Sequence, residues 1–320
     1  MIKVGIIGAG SPMAGEIIRI LINHPETDII SLYAPSHIGR NVTSVHHGLI
    51  GESLVLFSDK INPEELDVIF LAENTEIGRK ILSTKENQNS YKIIDLPYSG
   101  ESDSDFYVNH IGLSEINRKA LVRGETYAKI PAPPLVPALI ALVPLAKYML
   151  LNSTLFLSLS LPSSLIAEFG KPDTLANQLK EIITHYQPSF NSEIIFTLIP
   201  SAQEDRSMVL KMEIDCSLSL DEIEKIYDEI YDDHNFTFIT HSPVSGQEVK
   251  ATQKCVIYLD KPSTDKLEIS VYADGRMRGG AGDAVHVMNL FEGLYEKTGL
   301  QLKSSAYDSP SGSESSSWFA

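Results

Sequence analysis

The sequence predicts an α/β protein in which a Rossmann-type, doubly wound parallel sheet is followed by an α+β domain with a mainly antiparallel sheet. Strand and helix patterns alternate through the first 130 residues. Most of these strand segments are apolar throughout, which is typical of parallel strands buried on both faces. Beyond a proline-rich stretch near residue 131, several strand patterns accompany two helical patterns. The length of 320 residues also suits two domains.

The N-terminal domain opens with an apolar strand, a turn of small residues and a helix that stops before Pro25. We predict its strands at 2–8, 28–33, 67–72 and 92–96. The segment 37–60 is polar, rich in glycine and without a helical pattern. It is therefore predicted to be a long irregular connection, which in a compact domain is often functional.

The second domain begins where four prolines lie between residues 131 and 137, ahead of an apolar helix pattern at 138–151. Its strands are predicted at 154–160, 194–199, 208–215, 254–259 and 267–272, with helices at 173–185 and 219–231. Ser219 and Glu222 have the spacing of a capping box, which supports the start of the second helix.

A glycine-rich loop and helix at 275–295 follow these strands. We expect residues 1–130, completed by 280–306, to form the first domain and residues 131–279 to form the second. Residues 307–320 are rich in serine with little apolar content, so they are predicted to be a disordered tail.

The composition narrows the function classes. Lys and Arg total 26 and Asp and Glu total 42, a net charge of −16. Such a surface repels nucleic-acid phosphates and anionic lipid, so neither nucleic acid nor membrane is an expected partner. Two cysteines, Cys216 and Cys255, cannot supply a disulfide framework and indicate a reducing, cytoplasmic location. The sequence has no Cys/His cluster of the kind that binds zinc, so no metal site is predicted.

A strand–turn–helix at the N-terminus carries a partial GxGxxG pattern, in which Met13 stands at the third glycine. Glycines let the backbone approach a pyrophosphate, and the helix N-terminus attracts anions. The predicted cofactor contacts here are Gly8, Gly10, Ser11, Pro12, Met13 and Ala14. A tight strand-to-helix turn that binds no nucleotide is the alternative interpretation.

Seven pieces of sequence, in the same order and spacing, resemble the N-acetyl-γ-glutamyl-phosphate reductase family, which is related to aspartate-semialdehyde dehydrogenase. They are KVGIIGAGSPMAGEIIRILINHPE, VHHGLIGE, DVIFLA, IIDL, GLSEINR, ALVPLAK and RGGAGDAVHVMNLFEGLYEKTGL, and the resemblance covers most of residues 1–306. It implies NADP(H) on the first domain, a Cys thiolate that attacks an acyl phosphate, a His as general acid/base, a small-molecule ligand and a homo-oligomer.

When the catalytic residues that the resemblance implies are placed on this sequence one by one, none of them is present. The family's nucleophilic Cys falls on Pro133, and the Asn of the same motif falls on Ile130. One alignment puts the catalytic His at Leu175 and another puts it at Tyr186. A His-Gly pair falls on Thr75–Glu76, and a Ser-containing acidic–basic motif falls on 97–100. We therefore expect the acyl-phosphate reaction to be impaired.

The cofactor positions are better preserved. The resemblance places Gly282 and Asn289 of the late glycine-rich helix against the dinucleotide, and Ser36 near the adenosine ribose. Arg40 is the nearest arginine to a 2′-phosphate there. The alternative is that this late helix is purely structural, docked across the two domains.

Three functions are open at this point. The first is the family's NADP-dependent reduction, in impaired form. The second is a catalytically silent paralogue that acts as a binding or regulatory subunit and assembles with an active relative. The third is a reductase without covalent catalysis, with Tyr98, Tyr127 or Tyr186 as the acid. Cys216 and Cys255 are interpreted as small buried hydrophobic residues.

Overall fold

The computed structural model describes residues 1–52, 55–83, 90–96, 109–201 and 206–304. Its first sheet has five strands in the order β2-β1-β3-β4-β5, and every pair is parallel. The strands are β1 (Ile2–Ile7), β2 (Thr27–Tyr33), β3 (Val68–Leu71), β4 (Lys92–Asp95) and β5 (Tyr127–Lys129). The helices that accompany them are α1 (Pro12–Leu21), α2 (Glu76–Ser83) and α3 (Ser114–Val122).

The order of this sheet creates a crevice. The connection after β1 runs to β2 on one side, whereas the connection after the neighbouring β3 runs to β4 on the other side, so the two connections diverge between β1 and β3. In open α/β sheets, ligands bind at this topological switch point. The predicted parallel sheet is therefore confirmed, and its switch point is the turn that follows β1.

The long connection after β2 contains only short 3-10 turns among its described residues, at Pro35–His37, Val42–Ser44, His47–Leu49 and Pro63–Glu65. Asn41 and Leu56 form an isolated bridge that closes the segment on itself. The irregular structure predicted for this connection is confirmed where the structure describes it.

The second sheet has six strands in the order β7-β6-β8-β11-β10-β9. Three neighbouring pairs are antiparallel, while β6–β7 and β9–β10 are parallel. The strands are β6 (Leu155–Pro162), β7 (Ile194–Ser201), β8 (Ser207–Asp215), β9 (Thr237–Thr240), β10 (Cys255–Ser263) and β11 (Lys266–Asp274). The mainly antiparallel sheet predicted for the second domain is thus confirmed.

The helices of the second domain are α4 (Leu135–Lys147), α5 (Ser163–Phe169), α6 (Pro172–Tyr186) and α7 (Leu220–Tyr231), and a last helix, α8, spans Ala281–Phe291. Helix α7 begins with the predicted capping box, because the Ser219 side chain accepts from the Glu222 amide and the Glu222 carboxylate accepts from the Ser219 amide. Helix α4 is buried along nearly its whole length and forms the centre of the second core.

The two faces of the six-stranded sheet differ. Its inner face packs on α4, α6 and α7, whereas its outer face carries large apolar side chains that are exposed. Residues paired across strands share a face. Phe156 of β6 pairs with Ile195 of β7. A second row of paired residues begins at Ile199 of β7 and crosses the sheet to Phe238 of β9. All four of these side chains therefore lie on the outer face.

The first core is completed from the far end of the chain. Helix α8 packs against α1 and α3, and Met277, Val285 and Met288 lie in the same apolar cluster as Val4 and Ile17. Two residues from the N-terminal part, Ile111 and Leu113, instead join the second core. The predicted tail at 307–320 lies outside the described residues.

No helix in the described ranges has both the length and the apolar character needed to cross a bilayer.

Candidate active site

The turn after β1 is shaped by Gly8, whose φ is +77°. A Cβ at this position would lie 2.5 Å from Glu73 Cβ and 2.9 Å from the Glu73 backbone nitrogen. Only glycine fits both the conformation and the space. The first predicted cofactor residue therefore brings the carboxyl ends of β1 and β3 into contact.

The residues that follow form the first turn of α1. Ser11 caps the helix, since its hydroxyl accepts from the Ala14 amide at 3.2 Å, and Pro12 occupies the first helical position, where no amide donor is needed. Pro12 has no amide and the Ala14 amide is taken by Ser11, so the Met13 amide is the first-turn donor left at the positive end of the helix. This arrangement fits the pyrophosphate of a dinucleotide.

Gly10 and Met13 have packing roles in the same turn. A Cβ at Gly10 would lie 2.8 Å from Cδ2 of His37, so the imidazole rests on the turn. Met13 is 3% exposed, and its sulfur would be 2.8 Å from a Cβ at Gly280. The missing third glycine is thus replaced by a side chain that packs α1 against the loop before α8.

Ser36 lies in the exposed turn just past the carboxyl end of β2. In doubly wound folds the adenosine ribose lies near this strand end. Arg40 is exposed in the same connection, with Nη2 3.4 Å from the Ser44 carbonyl oxygen and Nη1 3.5 Å from His37 Nδ1. Both residues are therefore on the side where a ribose and its 2′-phosphate would lie.

The loop before α8 touches the position at which the resemblance places the family's nucleophile. Gly279 has φ +70°, and a Cβ there would lie 2.5 Å from Cα and 2.7 Å from the nitrogen of Pro133. Because Gly280 contacts Met13, the structure brings the glycine turn, Pro133 and the start of α8 to one place. The side chain that reaches this place from residue 133 is a pyrrolidine ring, which has no nucleophilic atom.

Two other predicted contacts on α8 are engaged with protein. Gly282 lies against the Gln253 amide, whose Nε2 donates to Asp283 Oδ1 at 2.5 Å. Asn289 is fully buried: its Oδ1 is 3.0 Å from His24 Nε2, and its Nδ2 donates to the carbonyl oxygens of Glu296 and Thr298. Asn289 therefore fastens the chain that follows α8 onto the residues just after α1.

Both thiols lie in the core of the second domain. Cys255 is fully buried at the start of β10, and burial raises the pKa of its thiol to about 12. Cys216 is 8% exposed and follows β8. A thiol enclosed in a protein core is unreactive, so neither sulfur can substitute for the one missing at Pro133.

Neither candidate position for the catalytic His supplies an imidazole, and Tyr186 lies far from Pro133. Leu175 is buried in α6, within the second core. Tyr186 ends α6, and Lys147 Nζ stands 5.4 Å from its ring centroid. Lys147 is the last residue of α4, whereas Pro133 precedes that helix. A helix of this length spans roughly 20 Å, so the Tyr186 alignment puts the His position far from the site.

The remaining predicted positions lie around β3, β4 and β5 of the first sheet. Thr75 caps α2, its hydroxyl accepting from the Gly78 amide at 3.1 Å. Tyr127 donates to Asp95 Oδ2 at 3.0 Å, and Lys129 Nζ is 2.7 Å from the same oxygen. Residues 97–100, including Tyr98, lie outside the described residues.

Charged groups that sequence reasoning missed line the junction of the two domains. Arg206 binds Glu16 of α1 at 2.9 Å and Asp274 of β11 at 2.9 Å, and these hydrogen bonds and charges lower the pKa of Glu16 despite its burial. Arg276 lies 3.4 Å from Glu168, whose pKa is raised by burial. Two carboxylates neutralise Arg206, whereas Arg276, with its longer contact to Glu168, suits an anionic substrate.

A second charge network is entirely buried behind the loop. Arg278 Nη2 lies 2.8 Å from Glu115 Oε1, and Arg278 Nε lies 3.5 Å from Asp283 Oδ1. Thr237 also donates to Glu115, and the Gly279 amide donates to Asp283. Burial alone would raise the pKa of Glu115, but the Arg278 charge holds it well below its usual range. The network fixes the loop that touches Pro133.

Comparison with known proteins gives concordant results. Residues 3–123 match the family described as "Semialdehyde dehydrogenase, NAD binding domain". The N-acetyl-gamma-glutamyl-phosphate reductase of Parabacteroides distasonis is 33% identical over 325 residues, which is 96% of this chain and 100% of that protein. The protein of the same name from Bacteroides fragilis is 33% identical over 331 residues, with the same coverage.

Solved structures support the fold. Aspartate semialdehyde dehydrogenase II from Vibrio cholerae superposes with a TM-score of 0.68 and 12% identity, covering 92% of this chain and 99% of that one. Aspartate semialdehyde dehydrogenase with NADP from Candida albicans gives 0.66 and 12%, covering 91% and 98%. The two-domain architecture described above is therefore that of these dehydrogenases.

Proposed function

The chain belongs to the N-acetyl-gamma-glutamyl-phosphate reductase family, and from this premise we propose that it keeps an NADP(H)-binding site but is impaired in the thiol-dependent reduction of the acyl phosphate. Bound NADPH would supply a hydride. The first-turn backbone of α1 would hold the pyrophosphate, and Arg276 would orient an anionic substrate. The substrate class proposed for the site is the N-acyl γ-glutamyl phosphate of the family.

The observation that carries the proposal is the position of Pro133. Covalent acyl transfer needs a thiolate that displaces phosphate and forms a thioester, which then accepts the hydride. Pro133 offers no sulfur, and Cys216 and Cys255 are enclosed in the other core. Removing the nucleophile of an enzyme of this type lowers the rate by several orders of magnitude.

Two measurements test this proposal. Isothermal titration should detect NADPH binding, whereas NADPH oxidation with N-acetyl-γ-glutamyl phosphate should stay at the no-enzyme background. The Bacteroides fragilis relative, assayed in parallel, serves as the positive control for the substrate. Robust turnover by this chain would contradict the proposed impairment, and the absence of any NADPH binding would contradict the retained cofactor site.

Arg40 provides a test of cofactor choice. We propose that its guanidinium binds the 2′-phosphate that distinguishes NADP from NAD, because it is exposed just beyond the end of β2. Arg40→Ala is expected to raise the Kd for NADP+ about tenfold, the effect of losing one charge-assisted contact, and to leave the Kd for NAD+ nearly unchanged. Titration of both nucleotides measures this. An equal loss for the two would contradict the assignment.

The second candidate function is that of a binding or regulatory subunit, as a homo-oligomer or in assembly with an active relative. The specific support is the outer face of the six-stranded sheet, where Phe156 is 60% exposed and Phe238 45% exposed. Burial of such a face drives association. Both cysteines are free thiols, in keeping with the cytoplasmic location that we propose.

Light scattering of the purified chain and of Phe156→Asp distinguishes these states. The proposal expects an oligomer for the wild type and a smaller species for the variant. Co-purification with a catalytically active relative from the native source would identify the regulatory role. A monomeric wild type that purifies alone would contradict both forms of assembly.

A further inference from the structure

We infer that a cavity between α3, the end of α4 and the residues after α7 binds a small multivalent oxyanion, such as a phosphorylated or polycarboxylate metabolite. The cavity has a volume of about 560 Å³, within the range of small-molecule sites. Helix α3 supplies residues 114–119, 122 and 123, and the other lining residues are Lys147, Asp233 and His234.

The lining is cationic in a strongly acidic protein. Arg118, Lys119, Arg123 and Lys147 all border the cavity, although the chain as a whole carries a net charge of −16. Such a concentration of one sign of charge in a cleft attracts anions of the opposite sign. The acidic surface around it would repel a long polyanion, which favours a small ligand over nucleic acid.

Three of these four cations are available to a ligand, and one of them is Lys147, whose Nζ lies 5.4 Å from the Tyr186 ring centroid. Arg118 is committed to protein, since it binds Glu296 and lies 3.6 Å from Asp233. Within the part of the chain that the structure describes, Lys119 and Arg123 form no ion pair. An arginine and a lysine one helical turn apart can bind one oxyanion together.

His234 supplies an independent observation. Its side chain is 9% exposed, and its Nδ1 has no hydrogen-bond partner among the described residues. A buried polar atom without a partner costs free energy unless a ligand or water satisfies it. Burial also lowers the pKa of this imidazole. Because His234 lines the cavity, a ligand bound there would lie beside this imidazole.

The cavity is separate from the candidate active site. Lys147 lies at the opposite end of α4 from Pro133, roughly 20 Å along the helix. The two sites are nevertheless connected through α3: Glu115, which lines the back of the cavity, binds Arg278, and Arg278 precedes the Gly279 that contacts Pro133. The inference therefore goes beyond the proposed dinucleotide site and does not depend on it.

Isothermal titration with inorganic phosphate and with citrate, at an ionic strength held constant with NaCl, tests the inference. We expect saturable binding of at least one anion, and a Kd that rises about tenfold or more in the Lys119→Ala/Arg123→Ala double variant. Both side chains are exposed, so the variant is expected to keep the wild-type melting temperature. The anion that binds more tightly identifies the ligand as phosphate-bearing or carboxylate-bearing.

Lys225→Ala is the matched control, because it removes one positive charge from an exposed position on α7 that does not line the cavity. It is expected to bind the anion as the wild type does. The inference is overturned if neither anion binds beyond the NaCl control, or if the double variant binds as tightly as the wild type. The latter result would place the anion elsewhere, for example at the N-terminus of α1.

Discussion

Gly279→Ala is expected to destabilise the protein by about 2–5 kcal/mol. The left-handed conformation at φ +70° costs an L-residue roughly 1–2 kcal/mol. The added methyl would also meet the Pro133 backbone at 2.5 Å and 2.7 Å and the Pro131 carbonyl oxygen at 2.9 Å. These atoms belong to backbone that cannot rotate away, so overpacking adds about 1–3 kcal/mol.

Gly293→Ala separates the two contributions. Gly293 has φ +65°, but a Cβ there would meet no atom within 4 Å. Its replacement should therefore cost only the conformational part, roughly 1–2 kcal/mol. Urea unfolding followed by circular dichroism measures both variants. If Gly279→Ala proved no worse than Gly293→Ala, the contact between the loop and Pro133 would be disproved.

Arg278→Ala is expected to lower the free energy of unfolding by about 3–5 kcal/mol, because it leaves two buried carboxylates without their partner. Arg278 is fully buried between Glu115 and Asp283. Lys266→Ala is the matched control, since Lys266 also has two carboxylate partners, Glu213 and Asp215, but on the exposed surface. The control is expected to melt close to the wild type.

The deficit of Arg278→Ala should shrink as the pH falls. In the wild type, Arg278 lowers the pKa of Glu115, so this pair stabilises above the unfolded pKa and loses its effect on acidification. In the variant, burial without a partner raises the folded pKa, so protonation relieves the cost. Unfolding at pH 7 and at pH 5 measures this. A difference between variant and wild type that grows on acidification would rule out the account.

Elements whose apolar residues follow a clear helix or strand pattern could be predicted from the sequence. Strand β1 and helices α6 and α7 have long apolar patterns and lie close to the predicted bounds. Strands β5 and β9 were missed, because three or four residues are too few to show an alternation. Helix α5 was missed because it has only seven residues and follows β6 directly.

Parts of the candidate site could be predicted where a short stretch of sequence is enough to indicate them. The glycine turn and the loop before α8 stand out by composition alone. The ion pair of Glu115 with Arg278 joins residues 163 positions apart, and no local pattern reports such a pairing. Asn289 was assigned to the cofactor by the resemblance, yet its amide binds His24 and the chain after α8. The arginines of the RMRG segment were the available signal for the missed charges.

Helix α8 constrains the order in which the first domain can fold during synthesis. The sheet of the first domain is complete in sequence by Lys129, but the helix that covers Val4 and Ile17 begins only at Ala281. A ribosome adding about 5–20 residues per second needs roughly 8–30 s to make the intervening chain. Throughout that interval the nascent sheet exposes an uncovered apolar surface. Chaperones should therefore engage the nascent chain until the last helix emerges.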